Sequence, residues 1–162
     1  MTAMHRVLRR SAPAALLSAL EALERVCFAQ PWDAHALASL LENPAGRLDI
    51  LETAAGELLC YALWQQTADE AELLRLATAP EVRRQGYAAG LLRASLAQMQ
   101  REGTAAFWLD VRVSNEAART LYHSLGFQSM GVRRRYYRAP EEDAAVLCFR
   151  PEDGDQKEKD RA

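Results

Sequence analysis

Apolar and polar positions change their period along the chain, and each change predicts an element. "MHRVLR" reads as a short strand. "APAALLSALEALER" then carries leucines three and four apart, predicting a helix from a Ser11 cap to about Arg25, with Pro13 in its first turn. "FAQPW" breaks that helix, and Asp33 is placed to cap a second one, "AHALASLLE", which Asn43-Pro44 ends. "RLDILET", "ELLCYALWQQ" and "AELLRLATA" predict three strands. The loops between them, "AAG" and "TADE", are of hairpin length, so an antiparallel meander follows. Beyond lie a helix over 86–102, a strand "AAFWLDVRV", a helix over 115–125, and two closing strands, "FQSMGVRRRYY" and "AAVLCF". A meander followed by alternating strands and helices predicts an α/β (α+β) fold: a mixed central sheet of about seven strands flanked by about four helices.

Length and charge narrow the class. The 162 residues predict one domain over 1–150, and 151–162 a charged, disordered tail dispensable for folding and activity. A net charge of −2 and a pI near 5.9 give no electrostatic footprint for nucleic acid. Apolar stretches are too short and interrupted to span a bilayer, and no signal-peptide pattern follows "MTAMHRVLRR", so a cytoplasmic protein with no membrane partner is expected. Cys27, Cys60 and Cys148 form no CxxC pair, and His5, His35 and His123 stand apart, so no metal site is expected. Cys60 and Cys148 sit in apolar runs and read as buried thiols.

Candidate chemistry concentrates at 76–99, "LATAPEVRRQGYAAGLLRASLAQM". Pro80 stops the strand and a helix opens near Gly86, burying Ala88, Leu91, Leu92, Ser95, Leu96 and Met99. The N–H groups of about Arg84 to Ala89 then lack intrahelical partners, and with the helix dipole they favour a phosphate. No GK[ST] follows and GxGxxG is absent, which excludes a P-loop and the dinucleotide fingerprint. On spacing alone, an ordinary helix start with surface arginines fits equally well. In the second stretch, "WLDVRVSNEAARTLYHSLGF", Ser114 or Asn115 caps a helix with Ala118, Leu121, Tyr122 and Leu125 on one face. Gly126 suits the positive-φ position that ends it.

Arg83-x-x-Gly86-x-Ala88 is similar to the [QR]-x-x-G-x-[GA] turn of the GNAT N-acetyltransferases. The second stretch resembles their N-x-x-A-x-x-L-Y-x-x-x-G-F segment, here Asn115, Ala118, Leu121, Tyr122, Gly126 and Phe127. Within that superfamily the chain looks most like the bacterial ribosomal-protein alanine N-acetyltransferases, through "PW" at 31–32, "DEA" at 69–71, "WLDVR" at 108–112 and "RRRYY" at 133–137. The likeness runs from about Val7 to Phe149.

The resemblance implies a GNAT fold and acetyl transfer from acetyl-CoA to a protein N-terminal amine, the N-terminal alanine of a ribosomal protein, by direct attack in a ternary complex. It implies that Arg84, Gln85, Gly86, Tyr87, Ala88 and Ala89 hold the pyrophosphate, that the backbone of Leu76, Ala77 and Thr78 bonds the pantetheine arm, and that Asn115 contacts the cofactor. Tyr122 matches the acid that protonates the leaving thiolate; without the resemblance, a core tyrosine fits as well. The family's glutamate in L-E-V-R is Asp110 here, one methylene shorter and assigned as the base, with Glu72, at the start of the fourth predicted strand, as the rival. Pro31-Trp32 and "RRRYY" would frame the peptide slot; Tyr136 and Tyr137 either line it or pack across strands. Arg133, Arg134 and Arg135 read as a solvated face or an acidic-substrate contact. Other readings keep the fold with a small-molecule amine or protein lysine as acceptor, or make the chain a silent CoA-binding protein.

Overall fold

A computed structural model describes residues 2–151; the expected tail lies, from Glu152 on, outside the described residues. In chain order the elements are β1 (Ala3–Leu8), α1 (Ala14–Cys27), α2 (Ala34–Glu42), β2 (Gly46–Thr53), β3 (Leu58–Thr67), β4 (Glu70–Thr78), a 3-10 turn (Pro80–Val82), α3 (Tyr87–Arg101), β5 (Ala106–Arg112), α4 (Glu116–Ser124), β6 (Gln128–Arg138) and β7 (Glu141–Phe149). The strands form one seven-stranded sheet in the order β1-β2-β3-β4-β5-β7-β6. Pairing is antiparallel for β1–β2, β2–β3, β5–β7 and β6–β7, and parallel for β4–β5, which makes the sheet mixed as expected. Among the described residues no helix is long and apolar enough to cross a membrane.

These residues group into two compact units that divide within β4, after Leu73, and within α3, after Leu96. The first holds β1, β2, β3 as far as Gln66, α1, α2, Leu74–Thr78 of β4 and the start of α3. Its core joins Leu20 and Leu23 of α1, Leu37 and Leu41 of α2, Leu48 and Ile50 of β2, Tyr61 and Leu63 of β3, and Ala77 of β4. Strand alternation puts Arg47 and Asp49 on the opposite face of β2, where both are fully buried. Arg47 Nε donates to Asp49 Oδ2 at 2.8 Å, and His5 Nε2 of β1 lies 2.6 Å from Oδ1. Burial alone would raise the Asp49 carboxyl, but the hydrogen bonds and charges of His5 and Arg47 together hold it below the ordinary value.

The second unit comprises Thr67–Leu73 and the chain from Ala97 on. Phe107, Leu109 and Val111 of β5 alternate inward, with Leu147 of β7 and Phe127 buried beside them. The Phe149 ring sits 5.8 Å from both Phe107 and Phe127. Cys60 and Cys148 are buried, as their apolar surroundings suggested.

Element boundaries follow the local signals with one correction. Asp33 caps α2 by accepting from Ala36 N–H at 2.8 Å, and Asn115, rather than Ser114, caps α4 by accepting from Ala118 N–H at 3.1 Å. Ser11 does not cap α1: the helix begins at Ala14, Pro13 occupies the cap position, and no side chain caps it. Proline disfavours helical dihedrals in the residue before it, so Ala12 cannot join the helix.

Gly46, the first residue of β2, is required by close approach: a Cβ there would fall inside the contact distance of the Leu40 carbonyl of α2. Gly46→Ala is therefore expected to lower stability by about 1–3 kcal/mol in urea denaturation. Gly90→Ala, in the open first turn of α3, should instead raise it by about 0.5–1 kcal/mol.

Candidate active site

The turn that drew attention in the sequence follows β4 directly. Arg84 and Gly86 both have left-handed dihedrals, at φ 64° and 81°. The first α-helical bond runs from Gly90 N–H to the Gly86 carbonyl at 3.0 Å, so the N–H groups of Arg84 through Ala89 come before helical pairing begins. Amides placed so at a helix start favour an anion. Gly86 is needed for its dihedral and not for space, since a Cβ there would meet nothing within 4 Å. Arg83 turns back: its Nε donates to the Thr78 carbonyl at 3.3 Å and its Nη2 to Cys27 Sγ at 3.3 Å. It braces the turn against the end of β4. Leu76 is half-buried, Ala77 is part of the core, and Thr78 Oγ1 donates to Cys60 Sγ at 3.4 Å.

In the second unit, the parallel register pairs Glu72 of β4 with Trp108 of β5, so Glu72, Trp108 and Asp110 share one face. The Asp110 side chain is 14% exposed, and its Oδ1 lies 3.2 Å from Nε of Arg133, which is 58% exposed. A largely sheltered carboxylate thus holds an exposed, displaceable cation. Partial burial, then the like charge of Asp110, raises the Glu72 carboxyl above its ordinary value, with Arg133 opposing. Burial and the Asp110 charge also push Tyr137 up to about 12, and Tyr136 rises for the same two reasons. Both phenols stay neutral donors at physiological pH. Their rings meet edge to face at 5.1 Å, and the Arg112 guanidinium sits 4.3 Å over Tyr137.

Tyr122 of α4 is 7% exposed, with its ring 5.8 Å from Phe127 in an edge contact. Gly126, at φ 103°, lets the chain reverse between them. Asn115 uses Oδ1 to cap α4, which leaves its amide nitrogen as a donor.

Comparison with known proteins agrees with this geometry. The profile described as the acetyltransferase (GNAT) family matches residues 15–127. The chain belongs to the GNAT acetyltransferase family. The [ribosomal protein bS18]-alanine N-acetyltransferase of Escherichia coli is 37% identical over 130 residues, covering 78% of this chain and 86% of that protein. Its namesake from Haemophilus ducreyi is 35% identical over 131 residues, with coverages of 78% and 88%. Among solved structures, that of the ribosomal-protein-S18-alanine N-acetyltransferase from Escherichia coli superposes with a TM-score of 0.80 at 32% identity, covering 91% of this chain and 94% of that one. A chain of the NatC complex bound to Gag peptide and CoA shares the fold at TM-score 0.77 and 21% identity, with coverages of 93% and 99%.

As a GNAT enzyme the protein is an acetyl-CoA-dependent N-acetyltransferase. The amides from Arg84 to Ala89 suit the diphosphate of that co-substrate: six N–H groups ahead of helical pairing, two left-handed residues shaping the loop, and no side chain at Gly86. Sequence reasoning treated Arg133, Arg134 and Arg135 as one group, and the structure separates them. Arg133 reaches Asp110, Arg134 is exposed, and Arg135, at φ 52°, pairs with Glu141 at 3.2 Å. Register breaks in β6, between Ser129 and Gly131 and between Arg133 and Tyr137, do the sorting. Bulges leave no signal in a bare "RRRYY". Tertiary packing likewise brings Arg75 to Glu24, two residues that no motif singled out.

Asp110→Asn would remove the like charge facing Glu72 and free Arg133 to approach it. The Glu72 carboxyl should then titrate lower than in the wild type, read by carbon-13 NMR of the side-chain carboxyl; an unmoved titration would contradict the pairing. Gly86→Ala should cost about 1 kcal/mol in stability through its dihedral and weaken acetyl-CoA binding in calorimetry.

Proposed function

We propose that this N-acetyltransferase modifies a protein N-terminal amine, the N-terminal alanine of a ribosomal protein, by direct attack in a ternary complex with acetyl-CoA. The observation that carries this reading is the 37% identity, over 78% of the chain, to an enzyme named for alanine on ribosomal protein bS18. Such an acceptor places the reaction in the cytoplasm.

The chemistry needs a neutral amine, and an α-amino group has a pKa of about 7.7–8.0, so a proton must be taken up at neutral pH. Asp110 is assigned as the acceptor of that proton, directly or through one water, with Glu72 beside it as a second carboxylate. Arg133 leaves Asp110 as the ammonium arrives, and the incoming amine then sheds its proton to the carboxylate. The amine nitrogen bonds to the acetyl carbon; as the carbon–sulfur bond breaks, the Tyr122 hydroxyl protonates the departing sulfur, and the nitrogen gives up its second proton to water, from which the Tyr122 phenolate is reprotonated. Amides of Arg84, Gln85, Gly86, Tyr87, Ala88 and Ala89 hold the diphosphate, the backbone of Leu76, Ala77 and Thr78 takes the pantetheine arm, and the Asn115 amide donates to the cofactor. Tyr136, Tyr137 and the loop around Pro31-Trp32 contribute to acceptor recognition. No cysteine is required as a nucleophile.

Mass spectrometry of an Ala-first peptide incubated with enzyme and acetyl-CoA should show one acetyl group on the α-amine. Acetylation confined to a small amine or a lysine would replace the acceptor, and CoA binding with no turnover would point to a silent binding protein. Tyr122→Phe should lower kcat by about 10²–10⁴-fold with little change in acetyl-CoA affinity. Asp110→Asn should lose most of its activity at neutral pH and recover part of it above about pH 8, where the α-amine is already neutral, read from the pH profile of kcat/KM.

A further inference from the structure

Glu24 of α1 is fully buried, a costly place for a carboxylate unless it is paired. It accepts from the Tyr61 hydroxyl of β3 at 2.5 Å and from Trp32 N–H at 3.2 Å, and its Oε1 lies 3.4 Å from Arg75 Nε of β4. Burial and the bond to Glu24 both raise the Tyr61 phenol, so it remains a donor. The guanidinium of Arg75 in turn lies 4.1 Å from the ring centroids of both Phe28 and Trp32, and its Nη2 donates to the Gln30 carbonyl at 2.9 Å. One side chain therefore grips the loop between α1 and α2 at its first, third and fifth residues.

That loop leaves α1 beside the end of β4. Cys27, just before it, lies 3.7 Å from the Thr78 carbonyl and accepts from Arg83 of the anion-cradling turn. An apolar residue at 75 could pack against Phe28 and Trp32 and leave Glu24 replaceable by a leucine, and buried ion pairs are often no more stable than such apolar substitutes. What a planar, five-donor cation adds is a single loop shape: two rings, a carbonyl and a carboxylate must all meet it at once.

We propose that Arg75 is a positioning residue for the acceptor: by clamping Phe28–Trp32 against the end of β4 it sets the wall against which the acceptor amine docks. This rests on the N-acetyltransferase reading and adds to it the residue that shapes the acceptor side. The clamp acts on acceptor recognition and not on acetyl-CoA.

The test uses the full chain, steady-state kinetics on an acceptor panel of Ala-, Ser-, Gly- and Met-first peptides and small amines, and hydrogen exchange. Arg75→Lys keeps the charge and loses the planar fork; it should raise the acceptor KM about tenfold, hold the acetyl-CoA KM within about twofold, and speed exchange at 28–34. The paired variant Glu24→Gln with Arg75→Met removes both charges, so it folds without an orphaned carboxylate, and it should show the same split. An unchanged acceptor KM despite faster loop exchange overturns the proposal, as does a rise in both KM values together, which marks a purely structural role. The KM split is read on whichever acceptor the wild type uses, so preference for another amine removes the alanine assignment while leaving this one standing. No turnover of any acceptor overturns both.

Discussion

The parallel pairing of β4 with β5, in a sheet where β1–β2, β2–β3, β5–β7 and β6–β7 pair antiparallel, is the constraint on which the chemistry depends. Two parallel neighbours cannot be joined by a tight turn, so the chain must cross over, and here it does so through the 3-10 turn and α3. A crossover helix has to begin somewhere near the end of the strand that feeds it, and its first N–H groups have no helical partners. A helix start whose free amides favour an anion is thus a by-product of topology, shaped here by left-handed dihedrals at Arg84 and Gly86. The same pairing aligns Glu72 with Trp108 and so brings Glu72 and Asp110 to one face.

Electrostatics then differentiates charged groups that look alike in sequence. Asp49 and Glu24 are both fully buried acids. Asp49 is tied to Arg47 and His5, where it braces β1 against β2, whereas Glu24 collects a phenol, a backbone N–H and a guanidinium around one loop. Asp110 differs again, keeping a single cation that stands mostly in solvent. A paired carboxylate in a closed site holds structure, and one whose partner can swing away is suited to proton transfer. Aromatic packing supplies the rigid part of the same unit: the series Phe107, Phe149, Phe127 and Tyr122, each ring 5.8 Å from the next, ties the α4 tyrosine to the sheet.

Much of this was legible in the chain itself. Strand and helix order, the caps at Asp33 and Asn115, the turn at Gly86 and the buried stripe of α3 all arise from interactions within a few residues, and periodicity or capping chemistry records such interactions directly. Ser11 misled because the effect of Pro13 on Ala12 outweighs a good capping side chain. Membership of the GNAT family was likewise carried by short motifs with fixed spacing.

Tertiary structure decided what links residues far apart. Glu24 meets Tyr61 and Arg75, 37 and 51 positions on, and no local pattern encodes those distances. Arg133 was separated from Arg134 and Arg135 by register breaks in β6, which depend on how β7 pairs with it. By itself the sequence determined the elements, the turn at Gly86 and the family, because each is written in neighbouring residues. Only the folded sheet decided which carboxylate keeps a displaceable cation and which arginine holds the α1–α2 loop, because pairing and burial are properties of the whole chain.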